Sequence, residues 1–594
     1  MRNFPWTREL RASVRNVMLA LVAIAVVAGG STYGLARAQQ KPPTVSAYPM
    51  PGTLTAAPGT DISLRGAAME ALGSITVTGS KSGVHHGTLK PHSDGQGASF
   101  VPDAAFKPGE RVTVTTHADV VNAQHGDFSF EVGESTGRNN RLPEPPVVGK
   151  GAVQSYATRP DLMPPAVTVG TNVPGHAPGL VFLAPKGGHG QDGPMIINDQ
   201  GKLVWFHPTH GQIPADFRVQ TYFGQPVLTW WEGRLYGGDG DGVGKVLDSS
   251  YRQIATVHAG KGYSMDLHEF TLTPQNTAIV LSYERYKRDL RPWHGRKDAR
   301  IVDNVLQEID LKTGLVLFEW HSFGNVSPSE SNLPAPRGKG LEWEYFHANA
   351  ASLTPDGNFL LSARNTSTIY EINRVTGKIM WRLGGKQSDF KLGPGVRFDW
   401  QHNAHMQPDG TITLYDNSAA PPTRTASRVL HIKLDAAGKA ATLVSAFHHP
   451  RKLLSSSQGD AQTLPNGDYF VGWGSQRWFT EFSPRGEVLF DGHLAKGNDN
   501  YRAFRFEWSG KPYVAPKVVA TPTKVSVSWN GATGVARWQL LAGPSPTQLS
   551  PVTDVPSAGF ETAIAVKSPQ PYVAMRALDL AGNPLATSEA VKPA

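Results

Sequence analysis

Leu353-Thr-Pro-Asp-Gly357-Asn-Phe-Leu-Leu361, Met406-Gln-Pro-Asp-Gly410-Thr-Ile-Thr-Leu414 and Leu464-Pro-Asn-Gly467-Asp-Tyr-Phe-Val471 are three copies of one unit. Each sets Pro and Asp or Asn ahead of a Gly, between two apolar runs. The Gly supplies the backbone freedom a tight turn needs, and the flanking runs read as strands. A second unit places a hairpin turn before an aromatic-rich strand. It occurs at Asn198-Asp-Gln-Gly201 (then Trp205), near Ser249-Ser250, at Lys312-Thr-Gly314 (Trp320), Val375-Thr-Gly377 (Trp381), Ala437-Gly438 and Arg485-Gly486 (Phe490). From Gly314 onward its glycines are 63, 61 and 48 residues apart. A four-stranded blade takes roughly 40–50 residues, with insertions allowed in loops. Six such turns therefore predict an all-β fold with a six-bladed β-propeller over residues 166–510. Two unrelated sandwiches would not repeat both units in the same order.

The flanks read differently. Over 44–133, runs such as Ile75-Thr-Val-Thr78, Arg111-Val-Thr-Val-Thr115 and Phe128-Ser-Phe-Glu-Val132 alternate apolar and polar with period two, which predicts an Ig-like β-sandwich. Residues 134–165 are rich in Pro and predict a semi-rigid linker. Residues 516–594 hold short strands such as Lys524–Trp529 and Tyr572–Leu578 with the turn Asn530-Gly531, and resemble a fibronectin III-like β-sandwich. At the start, four arginines precede the apolar run Val17–Ala28, and Ala36-Arg37-Ala38 offers a small-x-small cleavage site. Residues 1–38 thus read as a signal peptide or an N-terminal membrane anchor, with 16–36 as the stretch that could anchor. Both readings put the body outside the cytoplasm, secreted or held at the membrane.

Composition narrows the chemistry. The 594 residues include no Cys, which excludes disulfides, thiolate metal sites and cysteine nucleophiles. Lys and Arg number 57 against 49 Asp and Glu. Half of the resulting net charge of +8 sits in the leader, so the body carries no basic face for nucleic acid.

Propellers present ligands at the mouth of the central channel, on loops from several blades. Three histidines precede the turns of repeated units: His268 in Asp266-Leu-His-Glu-Phe270, His347 in Phe346-His-Ala-Asn-Ala350, and His402 in Gln401-His-Asn-Ala-His405. Both His268 to Pro274 and His402 to Pro408 span six residues, while His347 to Pro355 spans eight. Arg364 follows the same unit in the blade of His347. Equivalent positions on different blades converge on the axis, so the register marks these residues out from His85, His86, His448 and His449.

The ordered set Asp266–Phe270, Phe346-His347, Leu360-Leu-Ser-Ala-Arg364, Gly377-Lys-Ile-Met-Trp-Arg-Leu-Gly-Gly385 and Phe398-Asp-Trp-Gln-His-Asn-Ala404, with Gln458-Gly-Asp-Ala-Gln462 and Gly472-Trp-Gly474, resembles the bacterial arylsulfate sulfotransferase family. The resemblance spans about 166–508, with Tyr501–Gly543 like the family's tail. It implies a six-bladed propeller that moves a sulfuryl group from an aryl sulfate to a phenol through a sulfohistidine, with no nucleotide donor and no cofactor or metal. The nucleophile position falls on His402, with His268, His347 and Arg364 in support, and His405 is the alternative nucleophile or a substrate contact. The family's common disulfide near the site is missing here.

This assignment is chemically coherent. A sulfate ester anion needs donors at its oxygens, and Arg364 offers a bidentate fork. Neutral imidazole can attack sulfur and split the transfer into two displacements. A phenol, with a pKa of about 10, leaves more readily than an alcohol. Trp230, Trp231 and Trp400 are candidate walls for the substrate ring. Three other readings compete. A non-catalytic ligand- or partner-binding propeller would use the same surface. A quinoprotein dehydrogenase should repeat the turn of Thr376-Gly-Lys-Ile-Met-Trp381 in most blades, and only Thr313-Gly314 with Trp320 comes near it. A three-histidine zinc site would have to tolerate the neighbouring Arg364.

Overall fold

The computed structural model describes residues 42–124, 126–137, 152–568 and 570–594. The leader expected at 1–38 and the stretch 138–151 of the expected linker lie outside them. The fold is all-β, as the turns predict.

Among the described residues, six sheets of four or five strands follow one another between 167 and 506. Counted from the inner edge outward, the first is Phe504–Phe506, Leu180–Leu183, Met195–Ile197 and Leu203–Phe206. The second is Ile213–Tyr222, Gln225–Leu235, Gly240–Leu247 and Gln253–Val257, and the third Phe270–Leu272, Thr277–Arg288, Ala299–Asp310 and Val316–His321. The fourth is Ala348–Leu353, Phe359–Ala363, Thr368–Ile372 and Ile379–Gly384. The fifth opens with His402–Met406 and Ile412–Asp416, and the sixth with Asp460–Thr463 and Tyr469–Gly472. Each quoted hairpin turn joins the third and fourth strands of a different sheet. The Pro-Asp/Asn-Gly turns join the first and second, where Gly357, Gly410 and Gly467 take φ of 80°, 80° and 89°.

Contacts between sheets run in cyclic order: each sheet touches the next, and the sixth touches the first. The period-two alternation feeds both neighbours. Val280 packs toward the second sheet and the adjacent Leu281 toward the fourth; Phe470 packs toward the first and Val471 toward the fifth. Strands apolar on both faces are what such stacking requires, and a slip of one residue would exchange the two faces. The chain ends cross over: Val167–Asn172 pairs with Val488–Leu494 on the sixth sheet, and Phe504–Phe506 pairs with Leu180–Leu183 on the first.

Residues 44–131 form a five-stranded and a four-stranded sheet over a shared core that includes Val45, Leu64, Val77, Val114 and Phe130. Residues 517–587 form a three-stranded and a four-stranded sheet around Val525, Trp529, Trp538 and Met575.

Candidate functional site

The inner strands start at one end of the six-sheet assembly, and the three selected histidines collect there. His268 lies two residues before the inner strand of the third sheet and His347 one before that of the fourth, and His402 begins that of the fifth. The rings of His268 and His347 are 4.8 Å apart between centroids, and those of His347 and His402 6.5 Å. All three side chains are largely buried.

Each imidazole has its Nδ1 side fixed. His268 Nδ1 is in very close contact with Asp266 Oδ1, which also accepts the His268 backbone N–H at 2.9 Å. His347 Nδ1 lies 2.6 Å from Glu344 Oε1. Burial alone would raise the Glu344 carboxyl, but His347 holds it down at about 2. For His347 burial prevails over Glu344, and its value falls below the ordinary imidazole range.

His402 is different. Its Nδ1 sits 2.7 Å from Asn417 Oδ1. The orientation of that amide follows from its other end, where Nδ2 donates to Gln458 O at 2.9 Å and Ser455 O at 3.3 Å. Oδ1 therefore accepts, and His402 carries its proton on Nδ1. Its Nε2 accepts the backbone N–H of Gln458 at 3.2 Å. Burial, then the charge of Arg364 and the proximity of His347, push His402 well below the ordinary imidazole value. It is a neutral base whose Nε2 must exchange the Gln458 N–H for a substrate, and neutral imidazole is the form a nucleophile requires.

Arg364 extends from the end of the second strand of the fourth sheet. Its guanidinium lies 5.0 Å from the Trp400 ring, and it donates from Nη1 to Asn365 Oδ1 at 2.9 Å and from Nη2 to Ser456 O at 3.4 Å. Among the described residues no carboxylate pairs with it. A partly buried cation that acts on His347 and His402, with no carboxylate in ion-pair range among the described residues, is suited to hold an anion. The backbone is strained around this point: His347, Trp400, Asn403 and Gln458 all have φ between 51° and 65°. Such conformations cost roughly 1–3 kcal/mol each and cluster at functional sites.

Behind the histidines the axis is closed by ions. Arg218 pairs with Asp216 at 2.9 Å and Glu269 at 2.7 Å; Arg502 pairs with the same two at 3.0 and 3.3 Å. Arg502 also donates to the carbonyls of His268 and Asn349 at 2.9 and 3.0 Å.

The remaining candidates separate. Trp400 is the platform under Arg364. Trp230 and Trp231 do not line the site. Trp230 packs between the first two sheets against Trp205 and Phe217, and donates to Glu232 Oε2. Trp231 is wholly buried on the opposite face, donating to Met265 O, and a Cβ on Gly240 or Gly242 would strike it at 2.6 Å. His405 lies one turn of the pleat further along its strand, 3.0 Å from Asn403 Nδ2, with Glu269, Arg502 and Arg218 as its charged neighbours. It therefore sits beyond the ionic closure, apart from the other three.

Asp266, Glu344, Asn417 and Gln458 were not among the candidate site residues of the sequence reading. A signal existed for Asn417. Arg364 stands seven residues after Gly357, Asn417 seven after Gly410, and Tyr283, which stacks on His268 at 5.4 Å, seven after Asn276. One register thus points three second-strand residues at the same place.

Residues 218–495 match the family model for arylsulfotransferase (ASST). Over that segment the match supports the arylsulfotransferase family. The segment contains His268, His347, Arg364 and His402, and marks a sulfotransferase-type enzyme; the family implies aryl sulfate donors and phenol acceptors in general. No curated protein matches the chain. Among solved structures it is similar to a protein of unknown function from Bacteroides caccae (14% identity over 55% of this chain and 98% of that one, TM-score 0.35). It is also similar to an auxiliary nutrient binding protein from Bacteroides ovatus (11%, 79% and 92%, TM-score 0.28). A third is virginiamycin B lyase from Staphylococcus aureus (10%, 61% and 90%, TM-score 0.25). At these scores the likenesses carry no argument.

Proposed function

We propose that this arylsulfotransferase segment moves a sulfuryl group from an aryl sulfate ester to a phenol by way of a sulfated His402. The observation that carries the reading is the neutral His402, its proton held on Nδ1 by Asn417 and its Nε2 touched by a backbone N–H, close to a guanidinium with no carboxylate in ion-pair range among the described residues. The sulfate oxygens of the donor sit on Arg364. Nε2 attacks sulfur, the N–S bond forms and the S–O bond to the ring breaks. The departing phenolate takes a proton from His268, whose Nδ1 side is backed by Asp266, while His347 is held in place by Glu344. An acceptor phenol then gives its proton to the same imidazole and attacks sulfur. The N–S bond breaks, and the electron pair returns to Nε2. Trp400 keeps the guanidinium in place.

In the same reading the six sheets are the blades of a six-bladed propeller, supported by their closed order of contacts, and the sandwiches at 44–133 and 516–594 brace it. The leader exports the enzyme or anchors it to the membrane.

The test is brief exposure of the full chain to a chromogenic aryl sulfate, acid-free quenching and peptide mapping. A sulfated peptide containing His402, lost in His402→Ala, is expected. Transfer that persists in His402→Ala, or sulfate found on His405 instead, would reject the assignment. Absence of transfer across several donors and acceptors would favour a binding propeller.

A further inference from the structure

A cavity of about 420 Å³ opens at the far ends of the inner strands, on the other side of the ionic closure from the histidines. Arg218, His405, Gln407, Thr463 and Phe504 line it. The histidine site sits where these strands begin; Thr273, Gln407 and Thr463 mark where they end.

The lining is rich in donors that find no acceptor. Arg218 is nine-tenths buried, yet all four of its side-chain hydrogen bonds leave from Nη2, to Asp216, Glu269, Phe270 O and Thr271. Among the described residues its Nε and Nη1 make none. Asn403 Oδ1 accepts the Ala461 N–H, so its Nδ2 turns to His405 Nε2. That leaves the proton of the neutral ring on His405 Nδ1, which has no partner among the described residues. The Thr463 hydroxyl is buried and unpartnered. Unmatched buried donors cost roughly 1–3 kcal/mol each; Arg218 Nε and the Thr463 hydroxyl are two such atoms, and Arg218 Nη1 and His405 Nδ1 add two donors without a partner among the described residues, so the cavity calls for an acceptor. Beside them Phe504 offers an apolar face, its ring 5.7 Å from the Arg218 guanidinium.

We propose that this cavity is a second ligand site, for a small organic carboxylate whose oxygens meet Arg218 Nη1, His405 Nδ1 and the Thr463 hydroxyl while its apolar body lies on Phe504. The two arginines behind it are matched by Asp216 and Glu269.

The experiment is calorimetric titration of the full chain with benzoate, and with benzyl alcohol as the uncharged match. Arg364→Gln removes the anion-holding group of the histidine site, so binding that survives in it reports the lower cavity. Benzoate is expected to bind Arg364→Gln with an affinity at least about tenfold above that of benzyl alcohol. His405→Gln and the isosteric Thr463→Val, each built on Arg364→Gln and checked by circular dichroism, should each weaken binding about fivefold or more. Loss of benzoate binding in Arg364→Gln, or binding indifferent to both lower substitutions, would overturn the proposal. Neither result depends on whether His402 becomes sulfated.

Discussion

Replacing Asn417 by Asp puts a carboxylate where an amide oxygen now lies 2.7 Å from His402 Nδ1. Unit charges about 4 Å apart attract by roughly 4 kcal/mol at an effective dielectric constant of 20. Desolvating the new carboxylate erodes that figure, and a net rise of about 1–3 pKa units in His402 is expected. In the natural protein burial and Arg364 keep His402 well below the ordinary value of about 6.5. The neutral form therefore persists as pH falls through that value, and kcat/KM for sulfuryl transfer should stay level there. In Asn417→Asp the acid limb should move up by about 1–3 units, with transfer retained on the alkaline side. The assay is release of a chromogenic phenol from its sulfate ester, with a fixed phenol acceptor, between about pH 5 and pH 9. Melting curves at each pH separate this effect from loss of the bonds that Asn417 Nδ2 gives to Gln458 and Ser455. A variant profile superimposable on the natural one would refute the tautomer argument. So would a natural acid limb at or above about 6.5.

Arg364→Lys keeps the charge but loses the planar fork and its stacking on Trp400; donor kcat/KM should fall about 10–100-fold, and unchanged steady-state kinetics would remove Arg364 from sulfate binding. His321 is held at about 9, against burial, by Asp303 and Glu319. Its folded value exceeds the unfolded value of about 6.5, so its contribution is complete below that pH and fades as pH rises to about 9. Urea unfolding of His321→Gln should show the alkaline loss of stability reduced by roughly 3 kcal/mol between about pH 6 and pH 9. Trp231→Ala should cost about 3–5 kcal/mol in the same unfolding assay and leave the donor KM unchanged, because the ring is in the core between the second and third sheets.

The turns carried most of the fold. Gly357, Gly410 and Gly467 sit in left-handed conformations that make a tight turn, so their spacing reports strand pairing directly. The histidines were legible for a related reason, since an offset of six or eight residues from the turn proline sets a residue's height along the axis. Their partners were harder to see. Asn417 and Tyr283 follow the turns by a register that emerges only when second strands are aligned with each other, and Glu344 and Gln458 come from loops with no repeat. Trp230 and Trp231 misled because both faces of these strands are apolar: an aromatic there is equally at home between sheets and at a ligand. The inner edge of the first sheet was also obscure, because Phe504–Phe506 comes from the far end of the segment.

That exchange of ends gives the ring a seam with two clasps. Val167–Asn172, which precedes the ring, is fastened to its last sheet, and Phe504–Phe506, which follows it, is fastened to its first. A protease cut in a surface loop elsewhere leaves both clasps shut, whereas shaving the chain past either one frees an edge beside the first sheet. Arg502 is two residues from the second clasp and bonds the His268 carbonyl, so unfastening that end withdraws a support from the histidines before any sheet has melted.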